Sequence, residues 1–452
     1  MTASRRTFIR DASAFAAAGV GCLTFGGMRE VLGLAGRYTA HEVLHVPSRP
    51  FNMLAFGDSI MWGQGLTDNL KFATLVKNWV GANLPGRAVT FQNLAHSGAI
   101  IQSDPARDGA TGWQGEVPSP YPSISHQLYS ARDALLSSNA NPAEVDLVLL
   151  NGGANDVGIT HILNPFASSG SVGDLARDAV GARMAYLLPV AVGLFPNAKF
   201  IVPGYFPIIT DDSSTEEITA LLGILFGALG LLVTPGVKGQ LIANCSAFYD
   251  QSGAGLRAAV DAQNGRTPKR CVYADPGFSM YNGYGASQRC LFNVAESDPM
   301  LNARRGYCAA AGGQDLDPLC VGASMGHPNV KGAEKYRDAM TAKLGVFLAE
   351  WQGLRKLFAC VDPKPVIGAA GSYTVWVEDY ETRLPLSATV NIGTESFGSN
   401  TKFNHTFACT AAESETLSGT RGKPGQTITG RPACDQIMIT APDYIPHSVP
   451  WR

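Results

Sequence analysis

The chain has 452 residues and a formal net charge of −2, with 35 Lys and Arg against 37 Asp and Glu. This length is sufficient for two domains. A near-neutral chain without a basic stripe argues against a nucleic-acid partner. Its low share of charged residues, 16%, and its 50 glycines suit a loop-rich secreted protein better than a disordered one.

The amino-terminal residues resemble an export signal. Arg5 and Arg6 precede a mostly apolar stretch, Ala12 to Phe25, that contains no acidic residue. The stretch is shorter than the roughly 20 apolar residues that span a bilayer. We therefore predict that residues 1–35 are a bacterial signal of the twin-arginine type, and that the protein is exported to the periplasm or beyond the cell.

A zinc-protease motif follows this signal, and we interpret it as part of a linker. His41 and His45 fit H-E-x-x-H, which needs a helix so that both imidazoles share one face. Pro47 and Pro50 follow closely and would cut such a helix short. We predict neither a metal nor an organic cofactor.

Predicted strands and helices alternate from about residue 50 to residue 210. Apolar runs predict strands at 51–55, 88–91, 145–150 and 198–204, and helical spacing predicts helices at 72–80 and 174–192. Such alternation is typical of a parallel sheet with helices on both faces.

Four short blocks stand where predicted elements end or begin. Gly57–Ser59 ends the first strand, residues 93–99 follow the second, residues 151–157 follow the third, and Gly326–Asn329 opens a predicted helix at 329–354. In this order the blocks resemble those of the SGNH hydrolases, also called GDSL esterases and lipases. The resemblance spans roughly residues 50 to 350. It implies a three-layer α/β domain at 45–355 with a doubly wound, flavodoxin-like parallel sheet.

The resemblance also implies a chemical role for four residues. A serine hydroxyl needs a base to become a good nucleophile, and Ser59 and His327 stand at the positions of that pair. The oxyanion formed by the attack needs preorganised donors. The resemblance implies the backbone N–H groups of Ser59 and Gly98 and the side-chain amide of Asn155 as these donors.

One position departs from the family pattern. An aspartate commonly stands three residues before the histidine and orients its ring, whereas this chain has Ser324 there. A backbone carbonyl near Ser324 is the orienting group that we favour. The alternative is that Asp315 or Asp317 swings in from the preceding loop.

A second motif competes for the role of nucleophile. Gly322–Gly326 fits G-x-S-x-G, which would make Ser324 the nucleophile, with a histidine such as His405 as its partner. That elbow needs a buried strand before it and a helix right after it. Pro318 and Pro328 disfavour both, so we keep Ser59.

Residues 211–326 are predicted to be an insertion that holds five cysteines. Its apolar segment 220–233 is interpreted as a helix buried against the sheet or as a mobile apolar lid that touches lipid. Eight cysteines outside the signal suggest disulfides in an exported chain. Neighbours in sequence suggest Cys409 with Cys434, and some pairing within the set Cys271, Cys290, Cys308 and Cys320.

The last part of the chain changes to a period of two. After a break at 362–365, alternation at 373–377, 386–392 and 435–444 predicts a small all-β sandwich over residues 366–452. It is similar to transthyretin-like or carboxypeptidase-regulatory-like domains, and it would brace the enzyme or bind a surface.

The sequence therefore predicts a secreted hydrolase of carboxylic esters. Lipid esters and acylated polysaccharides are both open as substrates, the second making it a carbohydrate esterase. A non-catalytic binding protein built on the same fold is the alternative from another class, because the aspartate before His327 is missing.

Overall fold

The structure is a computed structural model. It describes residues 49–102, 105–108, 114–227, 233–266, 270–294, 298–311 and 318–352, and the strands at 357–362, 371–379, 387–393, 404–406, 412–418, 426–431, 436–440 and 447–450. The predicted export signal, the motif at His41 and His45, the pair Cys409 and Cys434, and Asp315 and Asp317 lie outside the described residues.

The chain is divided into two compact units. One runs from Pro47 to Leu348, and the other contains the residues from Ala349 onward. The first is built on a five-stranded parallel sheet in the order β2-β1-β3-β4-β5. Its strands are β1 (Phe51–Phe56), β2 (Val89–Asn93), β3 (Val145–Leu150), β4 (Lys199–Pro203) and β5 (Cys271–Ala274). This is the doubly wound, flavodoxin-like order, so the predicted class of sheet is confirmed.

The central strands are apolar because helices cover both faces of a doubly wound sheet. In β1 the side chains of Phe51, Met53 and Phe56 are almost completely buried, and Leu147 to Leu150 of β3 are fully buried. Met53 pairs with Leu147 and Phe56 with Leu150. The ends of β1 and β3 are therefore level, and the loops after them start side by side.

Two groups of helices flank the sheet. Helix α2 packs against α13, whereas α8 packs against both α4 and α10. The helices are α1 (Ser59–Trp62), α2 (Phe72–Asn83), α3 (Pro105–Asp108), α4 (Ile124–Ser137), α5 (Ala154–Val157), α6 (Ile159–Ile162), α7 (Ser169–Leu175), α8 (Arg183–Leu194), α9 (Thr215–Phe226), α10 (Pro235–Arg266), α11 (Leu301–Ala310), α12 (Pro318–Val321), α13 (Val330–Leu344) and α14 (Leu348–Trp351), with a π-helical segment at Ala176–Ala182 and 3-10 turns at Pro142–Glu144 and Gly345–Phe347.

The stretch 211–326 differs from the predicted insertion. It supplies β5, which pairs with β4, and α10, which packs on α8. Part of the stretch therefore belongs to the sheet and its helix layer. Of the apolar segment 220–233, residues 228–232 lie outside the described residues. Within α9, Ile218, Leu221 and Leu222 are buried, whereas Phe226 is 38% exposed.

One disulfide is present among the described cysteines. It joins Cys308 in α11 to Cys320 in α12 and confirms a pairing within the predicted set. Cys245, Cys271 and Cys290 are free and buried. No helix in the described part of the chain is both long and apolar enough to cross a membrane.

The second unit contains two four-stranded sheets, ordered β6-β7-β11-β9 and β10-β8-β12-β13. The stretches predicted to be strands at 373–377, 386–392 and 435–444 overlap β7, β8 and β12, while the packing of the sheets into a sandwich stays a prediction. The strands are β6 (Leu357–Asp362), β7 (Gly371–Asp379), β8 (Ser387–Gly393), β9 (Asn404–Thr406), β10 (Ala412–Ser418), β11 (Gln426–Arg431), β12 (Gln436–Thr440) and β13 (His447–Pro450).

Candidate active site

The blocks that the sequence singled out meet at the carboxyl ends of β1, β2 and β3. In a doubly wound sheet the connections from neighbouring strands leave in opposite directions at one point, and ligands bind in the crevice there. In this chain that point lies between β1 and β3. The loop after each of these strands carries one of the candidate residues.

Ser59 is the first residue of α1, in a tight turn after β1. Asp58 caps this helix, because its Oδ1 accepts a hydrogen bond from the Ile60 N–H at 2.9 Å. Gly57 cannot carry a side chain, since a Cβ there would stand 1.9 Å from Oδ1 of Asn151. The turn is therefore closed against the neighbouring strand and holds Ser59 in place.

Asp58 is fully buried and connects the turn to two further strand ends. It accepts hydrogen bonds from the Tyr205 hydroxyl at 2.6 Å and from Nδ2 of Asn151 at 3.1 Å. Tyr205 in turn accepts the Ala154 N–H at 3.1 Å. Burial raises the pKa of Asp58, and the hydrogen bonds that it accepts oppose that rise. Asp58 therefore braces the turn.

His327 faces Ser59 directly. Its Nε2 lies 2.7 Å from Oγ of Ser59, across 268 positions of the chain. The loop that carries the histidine is fixed on both sides. The His327 carbonyl accepts the Phe292 N–H at 2.8 Å, and the His327 N–H donates to the Ser324 carbonyl at 2.9 Å.

The other ring nitrogen of His327 faces a backbone carbonyl. Nδ1 lies 3.3 Å from the carbonyl oxygen of Met325, next in sequence to Ser324. A proton on Nδ1 donated to this oxygen leaves Nε2 free to accept from Ser59. Asp315 and Asp317, the alternative orienting groups, are not among the described residues.

The imidazole of His327 is neutral near pH 7. Burial lowers the pKa of His327 to about 4, the Met325 carbonyl opposes that change, and the positive charge of Arg304 adds to it. A neutral ring with an acceptor nitrogen beside a hydroxyl is the protonation state that a general base requires.

Gly98 and Asn155 are brought together by the loops after β2 and β3. Nδ2 of Asn155 donates to the Ala99 carbonyl at 3.0 Å, which leaves the second amide hydrogen of Asn155 available. Gly98 has φ of +81°, and a Cβ there would meet the Ser119 backbone N at 2.5 Å. Only glycine fits at this position.

Two backbone N–H groups in the site are available as donors. Among the described residues, no hydrogen bond uses the N–H of Gly98. The N–H of Ser59 is at the first position of α1, where helices have no internal acceptor. The chain therefore carries three candidate donors for an oxyanion, two backbone N–H groups and one side-chain amide, each after a different strand.

Ser324, the rival nucleophile, does not stand in a nucleophile elbow. It follows helix α12 instead of a strand. Its buried hydroxyl donates to Oδ2 of Asp298 at 2.7 Å. The proposed partner His405 lies in β9 of the second unit, and its side chain is not described.

Two groups of polar residues in the site were missed by the sequence analysis. Gln127 pairs with the Gly57 peptide, accepting its N–H at 2.9 Å and donating to its carbonyl at 3.1 Å. A glutamine on the buried face of α4, beside Ile124 and Leu128, was a signal that could have revealed it. Glu116 and Arg304 form a buried ion pair. Because 188 positions separate them in the sequence, no local pattern could have predicted it.

No group of three or more His, Cys, Asp or Glu side chains is arranged to hold a metal ion in the part of the chain that the structure describes.

The fold is similar to several solved structures at low identity. An extracellular lipase from Streptomyces rimosus is 14% identical, with 65% of this chain and 99% of that chain covered and a TM-score of 0.39. Phospholipase A1 from Streptomyces albidoflavus is 16% identical, with 65% and 99% covered and a TM-score of 0.36. A family two carbohydrate esterase from Clostridium thermocellum, in complex with cellohexaose, is 13% identical, with 70% and 67% covered and a TM-score of 0.33.

No protein-family model matches the sequence, and no curated protein matches it.

Proposed function

We propose that this protein is a serine hydrolase of the SGNH type that cleaves carboxylic esters, with Ser59 as nucleophile and His327 as general base. The observation that carries the proposal is the 2.7 Å contact between Oγ of Ser59 and Nε2 of a neutral, partly buried His327. A serine and a histidine in this geometry form the minimal pair for nucleophilic catalysis.

The proposed reaction has two half-reactions. As Oγ of Ser59 attacks the ester carbonyl, His327 takes the hydroxyl proton on Nε2 and then gives it to the departing alcohol. An acyl-enzyme results. Water attacks this ester with His327 again as base, and the Ser59 hydroxyl returns when the acid leaves.

The oxyanion in both steps would be stabilised by the N–H groups of Ser59 and Gly98 and the side-chain amide of Asn155. The Met325 carbonyl would keep the proton on Nδ1 and so hold the ring in the required tautomer. In this proposal the carbonyl takes the place of the aspartate that the family pattern leads one to expect.

The proposed substrates are either lipid esters or acylated polysaccharides. We propose that the enzyme encounters them outside the cytoplasm, because the paired Arg5 and Arg6 resemble an export signal. A panel of nitrophenyl esters from acetyl to palmitoyl, run beside acetylated xylan, separates the two classes. Preference for long acyl chains would indicate a lipid ester, and release of acetate from xylan would indicate a carbohydrate esterase.

A fluorophosphonate probe tests the catalytic assignment, because it phosphonylates an activated serine far faster than an ordinary hydroxyl. We expect mass spectrometry to find the adduct on Ser59 and to find none in Ser59→Ala. The Ser324→Ala variant should still be labelled on Ser59. An adduct on Ser324 would move the site, and a folded protein that is never labelled would indicate a non-catalytic binding protein.

A further inference from the structure

A buried network of charges lies between the His327 loop and the end of helix α1. Its centre is Arg304, which is fully buried in α11. Nη1 of Arg304 donates to Oε1 of Glu116 at 2.9 Å and to Oδ1 of Asp298 at 3.2 Å, and Nη2 also contacts Asp298. Nε of Arg304 donates to the Val321 carbonyl at 2.9 Å. The guanidinium therefore binds two carboxylates and one carbonyl from three separate segments of the chain.

One arm of the network ends on the catalytic histidine of the proposed site. The Ser324 hydroxyl donates to Oδ2 of Asp298 at 2.7 Å and accepts from Nη2 of Arg304 at 3.3 Å. The Ser324 carbonyl accepts the backbone N–H of His327 at 2.9 Å. Ser324 is thus the residue through which the charged cluster holds the turn that presents the imidazole.

The other arm ends on the helix that begins with Ser59. Glu116 accepts from Nε1 of Trp62, the last residue of α1, at 2.6 Å. It also accepts from the Gly65 N–H at 2.9 Å and from Nε2 of Gln64 at 3.0 Å. The same carboxylate that binds Arg304 therefore fixes the segment that leaves the nucleophile turn.

Stability alone does not explain this arrangement. Removing charges from water has a large energetic cost, so a buried ion pair is often no more stabilising than well-packed apolar residues. A network with fixed hydrogen-bond geometry can, however, specify one relative placement of the loops that it joins. Here the joined segments are those that carry the two reacting side chains of the proposed site.

We propose that Ser324, Asp298, Arg304 and Glu116 are positioning residues that set the distance between His327 and Ser59. The inference rests on the proposed function, since it assigns these residues a task in that reaction. Ser324 stands where the family pattern has an aspartate, and it acts on the turn through its hydroxyl, which donates to Asp298, and through its carbonyl, which accepts the His327 N–H.

Ser324→Ala tests this proposal, because it removes one hydroxyl and leaves the ion pairs of Arg304 in place. We expect kcat for a soluble nitrophenyl ester to fall about 10- to 100-fold, the loss typical of a misplacement of about 1 Å, while KM stays unchanged. Asp298→Asn, which keeps the shape but removes the charge, should lower kcat in the same way.

Ser123→Ala is a matched control. Its hydroxyl is also buried and donates to a buried carboxylate, Oδ2 of Asp108, at 2.9 Å. This variant should lose stability but keep the kcat of the unmodified protein. Rates are expressed per site labelled by the fluorophosphonate, so that a smaller folded fraction does not count as slower turnover.

Unchanged kcat in both Ser324→Ala and Asp298→Asn would overturn the positioning role. An equal fall in kcat in the control Ser123→Ala would overturn it too. These outcomes differ from failure of the proposed function, which would show as full activity in Ser59→Ala.

Discussion

The histidine at position 327 titrates below the range that is usual for its type, since burial lowers its pKa to about 4. A general base works only in its neutral form, so activity should be present above this pKa and lost as the pH falls through it. We expect kcat/KM to rise with pH around a midpoint near 4 and to be level by about pH 6, two units above that pKa. An ordinary histidine would place the midpoint near ~6.5 instead.

A pH profile of kcat/KM for a soluble ester measures this directly. Samples held at each pH and assayed after return to neutrality show whether acid has unfolded the enzyme. A midpoint near ~6.5 would mean that the ring is solvated in the working enzyme, and a level profile down to pH ~3 would remove His327 from the role of base.

At the scale of single residues, the sequence could predict candidate catalytic groups only where a residue type within a motif marks them. Ser59, Gly98, Asn155 and His327 stand in recognisable blocks, and the structure brings Ser59 to His327 and Asn155 to the neighbour of Gly98. The group that faces Nδ1 of His327 is a backbone carbonyl. Every residue has one, so no pattern could select Met325.

At the scale of elements, Tyr205 connects the loops after β1, β3 and β4. Its hydroxyl donates to buried Asp58 and accepts from the Ala154 N–H. Tyr205→Phe leaves both groups without that partner, and an unsatisfied buried polar group costs about 1–3 kcal/mol. We expect the free energy of unfolding, measured by urea denaturation, to fall by about that amount.

Tyr186→Phe is the control for this change, because Tyr186 is 72% exposed. It should leave the unfolding free energy almost unchanged. Equal values for Tyr205→Phe and Tyr186→Phe would show that the hydroxyl of Tyr205 does not brace the strand ends.

The elements that sequence predicted well are those with a long periodic signal. Strands β1 and β3 are apolar runs, and α2 has regular apolar spacing. Strand β5 has only four residues and belongs to the sheet through its pairing with β4, which no local pattern records. The helix predicted over 329–354 ends at Leu344 and is followed by a 3-10 turn that starts at Gly345, where glycine disfavours helix by about 1 kcal/mol.

At the scale of the whole molecule, every residue proposed for catalysis or positioning lies between Pro47 and Leu348. That unit has its own sheet, and helices pack in two groups around it. A unit with its own hydrophobic core is able to fold alone. We therefore expect residues 366–452, predicted to brace the enzyme or to bind a surface, to affect stability or access to substrate rather than the chemical step.

A chain that ends at Gln352, and so keeps helix α14, separates these roles. We expect it to retain the kcat/KM of the full chain for nitrophenyl acetate, because the reacting groups and their supports are all present. A lower rate on acetylated xylan alone would indicate that the removed residues bind the polymer, whereas a lower melting temperature with both rates intact would indicate bracing. Loss of nitrophenyl acetate turnover in a truncated chain that still unfolds cooperatively would contradict the prediction, since it would make the second unit part of the catalytic machinery.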